Sequence, residues 1–226
     1  MKFGYAKAPS PSFRLIPSQF PPIGAFDTVA TTADAEAVME LAGWTNDRLV
    51  TDRLGRLPKS DWIFGIANSS VIMASFLHVG PSGMRFNSPE LGAWYAADTV
   101  KTAAVEVAHH LRREAVARRK AEMQRTYRTY SATLLGDYVD IRGAQMALPQ
   151  VYDPARYDAS QAFGEDCRAA GEAGILYDSQ RYQGGTNVTA YRTRNITAVV
   201  QTDHYSIKVF SASRQIHIAK LASAKS

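Results

Sequence analysis

Residues 94–130, WYAADTVKTAAVEVAHHLRREAVARRKAEMQRTYRTY, carry the clearest helical pattern in the chain and decide the predicted fold. The residues Trp94–Ala97 at its start are typical of a short strand. Asp98 or Thr99 can cap a following helix, and no Gly or Pro interrupts that helix up to about Tyr130. Five apolar residues at helical spacing predict its buried face: Ala104, Val107, Ala108, Leu111 and Ala115.

Before this helix, the chain is predicted to begin with extended backbone and to continue with a short helix, a loop and two short strands. Prolines at positions 17, 21 and 22 exclude a helix over residues 13–22 and favour extended backbone. The later residues predict a short helix over 33–41, a loop over 44–59, and two short buried strands over 62–66 and 70–77.

The chain after the helix is predicted to hold one more helix and a β-rich tail. Residues 134–141 alternate loosely, as strands or a long irregular connection would. A helix is expected from Ala155 to about Ala173, closed by Gly174. Residues 187–218 are rich in Val, Thr, Tyr and Ile, which favours two or three antiparallel strands. We therefore expect one α+β domain over residues 1–226, with small mixed or antiparallel sheets and flanking helices.

Composition narrows the class of protein. With 46% hydrophobic and 21% charged residues among 226, the chain has the balance of a globular domain rather than of a disordered or fibrous one. No apolar run approaches the roughly 20 residues of a membrane span, and residues 1–9 lack the apolar core of a secretory signal. The single Cys167 fits a reducing compartment. These features predict a soluble cytoplasmic protein that does not bind membranes.

The net charge of +5 is concentrated in one segment. Residues 101–128 hold eight basic and three acidic residues, so they account for the whole excess. On the predicted helix, such a segment is typically a solvated face. Two functional alternatives are docking of an acidic partner and binding of nucleic acid without catalysis.

Common catalytic motifs are absent from the sequence. The chain has no phosphate-binding loop, no dinucleotide-binding glycine fingerprint and no Gly-x-Ser-x-Gly motif, and one cysteine excludes cysteine-based zinc sites. Glu106 and His110 share one face of the helix as a possible metal pair, but a third ligand is not evident. An ordinary histidine pair, His109 and His110, is the favoured interpretation, and no metal is expected.

Three side chains remain that together suggest chemistry. Arg85 and Asn87 lie in a turn-like stretch, Tyr95 lies in the short strand, and Glu106 lies about two turns into the helix. Burial of a carboxylate without compensating interactions costs several kcal/mol. A carboxylate beside a buried face is therefore expected to have a binding partner or a functional role. An arginine, a tyrosine and a glutamate brought together could bind a diphosphate, stack on a planar ring and stabilise a developing cation.

The groups Arg85-x-Asn87, Tyr95-x-Ala97 and Thr102-Ala103-x-x-Glu106 resemble the RES-domain family. The stretches 174–181, which contains Ser179, and 184–187 are similar to later family motifs, and 13–17 is similar to its first segment. The resemblance extends over residues 13–195. Two positions depart from the family pattern: Phe86 stands where tryptophan is frequent, and Asp178 stands where proline is frequent.

The resemblance implies a fold similar to ADP-ribosyltransferase toxins, with NAD⁺ as the substrate. Arg85 would clamp the pyrophosphate, Tyr95 would contact the nicotinamide or its ribose, and Glu106 would stabilise the oxocarbenium-like charge. Ser179 would bond the ribose or orient the glutamate. Three further residues are expected to contact the phosphates or the amide of NAD⁺: Asn87, Arg14 and Arg181.

The resemblance also implies partners. The family supplies toxins of bacterial toxin–antitoxin pairs, whose antitoxin carries an Xre-type helix-turn-helix, so we expect such an antitoxin to cover the NAD⁺ site. Operator DNA would be reached only through that antitoxin. The ADP-ribose acceptor stays open between water, phosphate and a side chain of a specific protein target, for example a nucleotide-biosynthesis enzyme. The oligomeric state and the toxin–antitoxin stoichiometry also stay open.

Overall fold

The computed structural model describes residues 3–19, 26–31, 33–34, 37 and 55–222. Most of the predicted helix over 33–41 and of the predicted loop over 44–59 lies outside the described residues. So does Pro21–Pro22 of the predicted extended opening, whereas residues 13–17 of that opening form a strand, as expected.

Nine strands and three α-helices lie wholly within the described residues, and residues 33, 34, 37, 55 and 56 are also helical. The strands are β1 (Gly4–Ala6), β2 (Ser12–Pro17), β3 (Trp94–Ala97), β4 (Glu122–Leu134), β5 (Tyr138–Asp140), β6 (Gly174–Asp178), β7 (Thr186–Ala190), β8 (Ile196–Phe210) and β9 (Ile216–Lys220). The helices are α1 (Ser69–Leu77), α2 (Val100–Ala117) and α3 (Asp158–Ala169), and short 3₁₀ turns occupy Lys59–Asp61 and Thr193–Asn195. The α+β class expected from the sequence is confirmed.

The strands form one continuous sheet in the order β1-β5-β6-β7-β3-β2-β4-β8-β9. Only β5 and β6 pair in parallel, and the other neighbours are antiparallel. The mixed and mostly antiparallel pairing agrees with the prediction, but the described strands form one large sheet instead of several small ones. The long β4 and β8 extend the sheet because they pair along nearly their whole length.

The middle of the sheet is weakly joined. Strands β2 and β3 are paired at a single position, Phe13 with Ala97. Beyond it, the carbonyl of Tyr95 accepts a hydrogen bond from Nη1 of Arg14 at 3.0 Å. An arginine side chain thus satisfies a backbone acceptor at the seam between two strands.

The two faces of the sheet are covered by different helices. Residues alternate between faces along β3, as they do in any strand. Trp94 and Ala96 belong to the core cluster under α1, whereas Ala97 belongs to the cluster under α2. Tyr95 packs against a third cluster, which contains Cys167 of α3. The strand β3 therefore contacts all three parts of the core.

The predicted strands over 62–66 and 70–77 are not strands. Residues 69–77 form α1, in which every residue except Ala74 is buried. A short apolar run does not distinguish a buried strand from a helix that is apolar on all sides. Residues 62–66 are irregular, because Gly65 adopts a positive φ of 70° and its N–H donates to the carbonyl of Phe26.

The long predicted helix ends earlier than expected, at Ala117, and residues 122–134 form β4. Thr99 caps α2 as predicted, accepting from the N–H of Thr102. Arg119 takes the left-handed conformation, with φ of 52°, and Lys120 N–H donates to the carbonyl of Ala115. This arrangement closes a helix in the way that a C-terminal glycine usually does. An arginine at that position gave no stop signal, so the prediction missed it.

The third helix and the tail follow the prediction more closely. Helix α3 is shorter than predicted, ending at Ala169. Gly174 is the first residue of β6 rather than a helix end, and a side chain there would collide with the backbone carbonyl of Thr189. The predicted two or three antiparallel strands of the tail are confirmed as β7, β8 and β9. Within the described part of the chain, none of the helices combines the length and apolar composition that crossing a bilayer requires.

The N-terminal end of α1 is held by a distant carboxylate. Asp27 Oδ1 accepts from the N–H and hydroxyl of Ser70 and from the hydroxyl of Ser69, and Oδ2 accepts from the N–H of Asn68. Partial burial raises the pKa of Asp27, but these hydrogen bonds outweigh it and leave the pKa below its usual value. The folded state thus favours the charged carboxylate.

Replacement of this carboxylate should destabilise the fold in a pH-dependent way. We expect Asp27→Ala to lower the free energy of unfolding by about 1–3 kcal/mol, because backbone donors lose their acceptor. In Asp27→Asn, the loss relative to the native protein should be present above about pH 4 and should shrink as the pH falls through the lowered folded-state pKa. Urea unfolding at pH 7 and at low pH measures both effects. Asp137→Ala, at the exposed Asp137–Lys7 pair, is the control and should change little.

Candidate functional site

An open cavity of about 240 Å³ lies where β2, β3 and α2 meet the segments after α1 and β6. Five of the seven site residues predicted from the sequence line it: Arg14, Arg85, Tyr95, Glu106 and Arg181. The other two, Asn87 and Ser179, bond to residues of its wall. Residues that are far apart in sequence are therefore brought to one cavity.

Glu106 is fixed by one of its two carboxylate oxygens. Its Oε1 accepts from Ser179 Oγ at 2.6 Å and from Asn187 Nδ2 at 2.7 Å. Its Oε2 accepts no hydrogen bond from the residues that the structure describes. The carboxylate thus has a defined orientation and one oxygen left for a ligand.

Ser179 is itself oriented by a tight turn. Its Oγ accepts from the N–H groups of Arg181 and Tyr182 at 3.2 and 3.0 Å. With both acceptor positions engaged, the hydroxyl proton is directed to Glu106. Ser179 therefore orients the glutamate, one of the two roles expected from the sequence. Asn187, on the neighbouring β7, is almost completely buried.

Arg85 is a buried cation that is held by backbone carbonyls. Its Nη1 donates to the carbonyl of Asp153 at 2.9 Å and to that of Val151 at 3.3 Å. Its guanidinium lies 4.6 Å from the centroid of the Tyr157 ring. No carboxylate of the described residues forms an ion pair with it. Stacking and carbonyl contacts hold the group in place but leave its charge uncompensated.

Tyr95 connects the strand β3 to the turn that carries Arg85. Its hydroxyl donates to Asn87 Oδ1 at 2.7 Å and accepts from the N–H of Phe86 at 2.9 Å. Burial raises the pKa of Tyr95, so the hydroxyl keeps the proton that it donates. Asn87 is fully buried and also donates to the carbonyl of Ser88. Asn87 is thus placed to support Tyr95, and the Tyr95 ring lines the cavity.

Two further arginines add positive charge to the cavity. Burial lowers the pKa of Arg14 to about 10, so it remains a cation at neutral pH. Its guanidinium lies 4.9 Å from the centroid of the Trp94 ring, and its buried Nε has no hydrogen bond partner among the residues that the structure describes. Arg181 donates to the carbonyl of Pro154 at 2.8 Å. Neither forms an ion pair within the described ranges. A cavity with three such guanidinium groups and one carboxylate favours an anionic ligand.

The histidine pair does not form a metal site with other described residues. His110 lines the cavity one turn after Glu106, and the rings of His109 and His110 lie 5.5 Å apart. Burial and nearby cations lower the pKa of His109 to about 4, and burial lowers that of His110 although Glu106 opposes this. In the described part of the chain, no three His, Cys, Asp or Glu side chains are grouped as metal ligands.

The basic segment 101–128 is not one helical surface, contrary to the prediction. It is divided between α2, a turn and β4. Glu114 forms ion pairs with Arg118 and with Arg125 of β4, and Arg128 is buried. The positive charge is therefore partly neutralised and distributed over more than one surface.

Two residues near the cavity were missed as site residues. Asn187 was noted only as part of a stretch similar to the family, without a role of its own. Tyr157 belongs to no recognisable motif and directly precedes a helix, so nothing in the sequence favoured its selection. Their contacts with Glu106 and Arg85 depend on pairing and loop packing that sequence spacing does not encode.

The Tyr95 hydroxyl should contribute measurably to stability. We expect Tyr95→Phe to lower the free energy of unfolding by about 1–3 kcal/mol, because the buried Asn87 oxygen and the Phe86 N–H lose their partner. Urea unfolding measures this loss. Tyr5→Phe removes an exposed hydroxyl bonded to Glu172, and it should stay within about 0.5 kcal/mol of the native protein. Equal effects of both substitutions would contradict the assigned role of Tyr95.

Comparison with known proteins identifies the family. The chain is 25% identical over 207 residues to the uncharacterized protein y4oC of Sinorhizobium fredii (strain NBRC 101917 / NGR234), covering 85% of this chain and 80% of that protein. A chain in the crystal structure of the M. tuberculosis MbcT–MbcA toxin–antitoxin complex is 21% identical with a TM-score of 0.41, covering 58% of this chain and 74% of that one. The sequence model described as RES domain matches residues 53–209, which is most of the chain and includes every candidate site residue except Arg14. The chain therefore belongs to the RES domain family.

Proposed function

We propose that the protein cleaves the bond between nicotinamide and ribose in NAD⁺. The observation that carries this proposal is a carboxylate with one anchored oxygen, Glu106, in the same cavity as three guanidinium groups without ion-pair partners among the described residues. A dinucleotide matches this arrangement, because it presents a diphosphate and a ribose whose cleavage develops positive charge. Membership of the RES domain family supports the same proposal.

The roles of the residues follow from their chemistry. Arg85, with Arg14 and Arg181 as further cations, binds the pyrophosphate through charge-assisted hydrogen bonds. The free Glu106 oxygen faces the ribose and stabilises the oxocarbenium-like charge as the bond to nicotinamide breaks. Tyr95 supplies a ring surface against the nicotinamide side of the substrate. Asn87 and Ser179 act by orienting Tyr95 and Glu106 rather than by touching NAD⁺.

The acceptor of ADP-ribose defines two versions of this function. Nicotinamide is released in both versions. With water or phosphate as acceptor, the ADP-ribose leaves as a small molecule and the coenzyme is depleted, whereas a side chain of a protein target becomes mono-ADP-ribosylated. Both versions share the same bond-breaking step. Two incubations of the purified protein distinguish them. Rapid nicotinamide release from NAD⁺ alone supports hydrolysis, and release only after phosphate is added supports phosphorolysis. With labelled NAD⁺ and a lysate, label transferred to a lysate protein without such release supports the second version.

Family membership supports a biological role as the toxin of a toxin–antitoxin pair. The partner is then an Xre-type antitoxin that covers the NAD⁺ site, and operator DNA is contacted through that antitoxin. Expression of the chain alone should arrest growth, and co-expression of the cognate antitoxin should restore it. No observation favours the nucleic-acid-binding alternative, since the basic segment is divided and partly paired.

Removal of the Glu106 charge should strongly reduce catalysis without disturbing the fold. We expect Glu106→Gln to reduce nicotinamide release by about 10²–10³-fold, because a neutral amide does not stabilise the developing cation. The glutamine Oε1 keeps the acceptor for Ser179 and Asn187, so the unfolding transition should be preserved. Glu114→Gln is the matched control on the same helix, and full activity of Glu106→Gln would refute the mechanism.

Arg85 should contribute mainly to substrate binding. We expect Arg85→Ala to weaken NAD⁺ binding by about 1.5–3 kcal/mol, the value of a charge-assisted hydrogen bond. Calorimetric titration of NAD⁺ into each variant in the inactive Glu106→Gln background measures this difference. Arg113→Ala, an exposed arginine of α2 that does not line the cavity, serves as the control. An unchanged affinity in Arg85→Ala would assign Arg85 a purely structural role.

A further inference from the structure

The loop between β5 and α3 provides the carbonyls that hold Arg85. Val151 and Asp153 both accept from Arg85 Nη1, and they flank Tyr152. Tyr152 is buried, and its hydroxyl donates to the carbonyl of Ile141 at 2.7 Å. The position of the Arg85 guanidinium therefore depends on where the loop places Tyr152.

One carboxylate at the end of β6 organises this loop. Asp178 Oδ2 accepts from the N–H of Gly143 at 2.7 Å and from Nε2 of Gln145 at 2.6 Å. The Tyr152 hydroxyl lies 3.4 Å from the same oxygen and 3.4 Å from the Asp178 N–H. Asp178 thus joins the beginning of the loop to the residue that lies between the two Arg85 acceptors.

We propose that Asp178 is a positioning residue for Arg85, acting through Tyr152 and the carbonyls of Val151 and Asp153. This inference rests on the proposed function and deepens it.

The adjacent residue serves the other half of the site. Ser179 orients Glu106, whereas Asp178 orients the loop that holds Arg85. Two consecutive residues at the end of β6 thus position the group that stabilises the transition state and the group that binds the diphosphate. Substitutions of these two residues should therefore have different kinetic effects. Ser179→Ala should lower kcat, and Asp178→Ala should raise KM.

The direct test compares Asp178→Ala with the native protein in NAD⁺ cleavage. Loss of the loop anchor should raise KM for NAD⁺ about tenfold and leave kcat within about twofold, because Arg85 contributes to binding. Asp140→Ala is the matched control, since Asp140 begins the same loop and bonds Arg142 instead. Asp178→Asn retains an acceptor oxygen and should restore most of the native KM.

A double-variant comparison excludes a general structural effect. In an Arg85→Ala background, Asp178→Ala should raise KM no further, because the group that Asp178 positions is already missing. Additive effects in the two backgrounds would overturn the proposal, and so would a loss of kcat with an unchanged KM. If Asp178→Ala does not fold, Tyr152→Phe tests the same connection and should show the same non-additivity with Arg85→Ala.

The outcomes also separate this inference from the proposed function. If the native protein cleaves NAD⁺ and Asp178→Ala has the native KM, the positioning role is wrong while the proposed function stands. If the native protein neither binds nor cleaves NAD⁺, the proposed function fails and the positioning role fails with it.

Discussion

The candidate site depends on the hydrogen bond that Arg14 donates to the carbonyl of Tyr95. Strands β2 and β3 meet at a single pair of residues, so the sheet has a seam beside its centre. Buried carbonyls need donors, and at this seam a guanidinium provides one. The same arrangement places a cation in the cavity and lets Tyr95 face the cluster that supports Arg85. A fully paired central sheet would satisfy its backbone but would not place this guanidinium there.

The electrostatics of the cavity follow from this construction. Arg14, Arg85 and Arg181 donate to backbone carbonyls, and none forms an ion pair within the described residues. Carbonyl dipoles satisfy hydrogen bond donors without cancelling net charge, so an anionic ligand would interact favourably with all three groups. Such a ligand is expected to stabilise the folded protein when it binds. The proposed binding of a diphosphate therefore depends on the positive charge of the cavity.

The candidate site is supported by buried polar side chains, one of which, Asn187, also lines the cavity. Glu106 is held by Ser179 and Asn187, and the Tyr95 hydroxyl is held by Asn87. Each of these supporting side chains is buried, and the polar atoms of each form hydrogen bonds with other groups of the protein. Side chains held in this way would keep their geometry without help from a ligand, and the proposed catalysis requires such preorganisation.

The amino-acid sequence was enough to predict the α+β class, the capped start of α2, the β-rich tail, and the residue types that suggest the site: Arg85, Tyr95, Glu106 and Ser179. Local signals suffice for these features, because caps, periodicity and short motifs are properties of neighbouring residues. The sequence did not determine that residues 70–77 are helical, that α2 ends at Ala117, or that Asn187 and the loop at Val151–Asp153 serve the site. A short apolar run fits a buried helix and a buried strand alike, and an arginine in the left-handed conformation carries no stop signal. Contacts between residues 66 to 81 positions apart were decided only by the tertiary structure, because strand pairing and loop packing, not sequence spacing, bring such residues together.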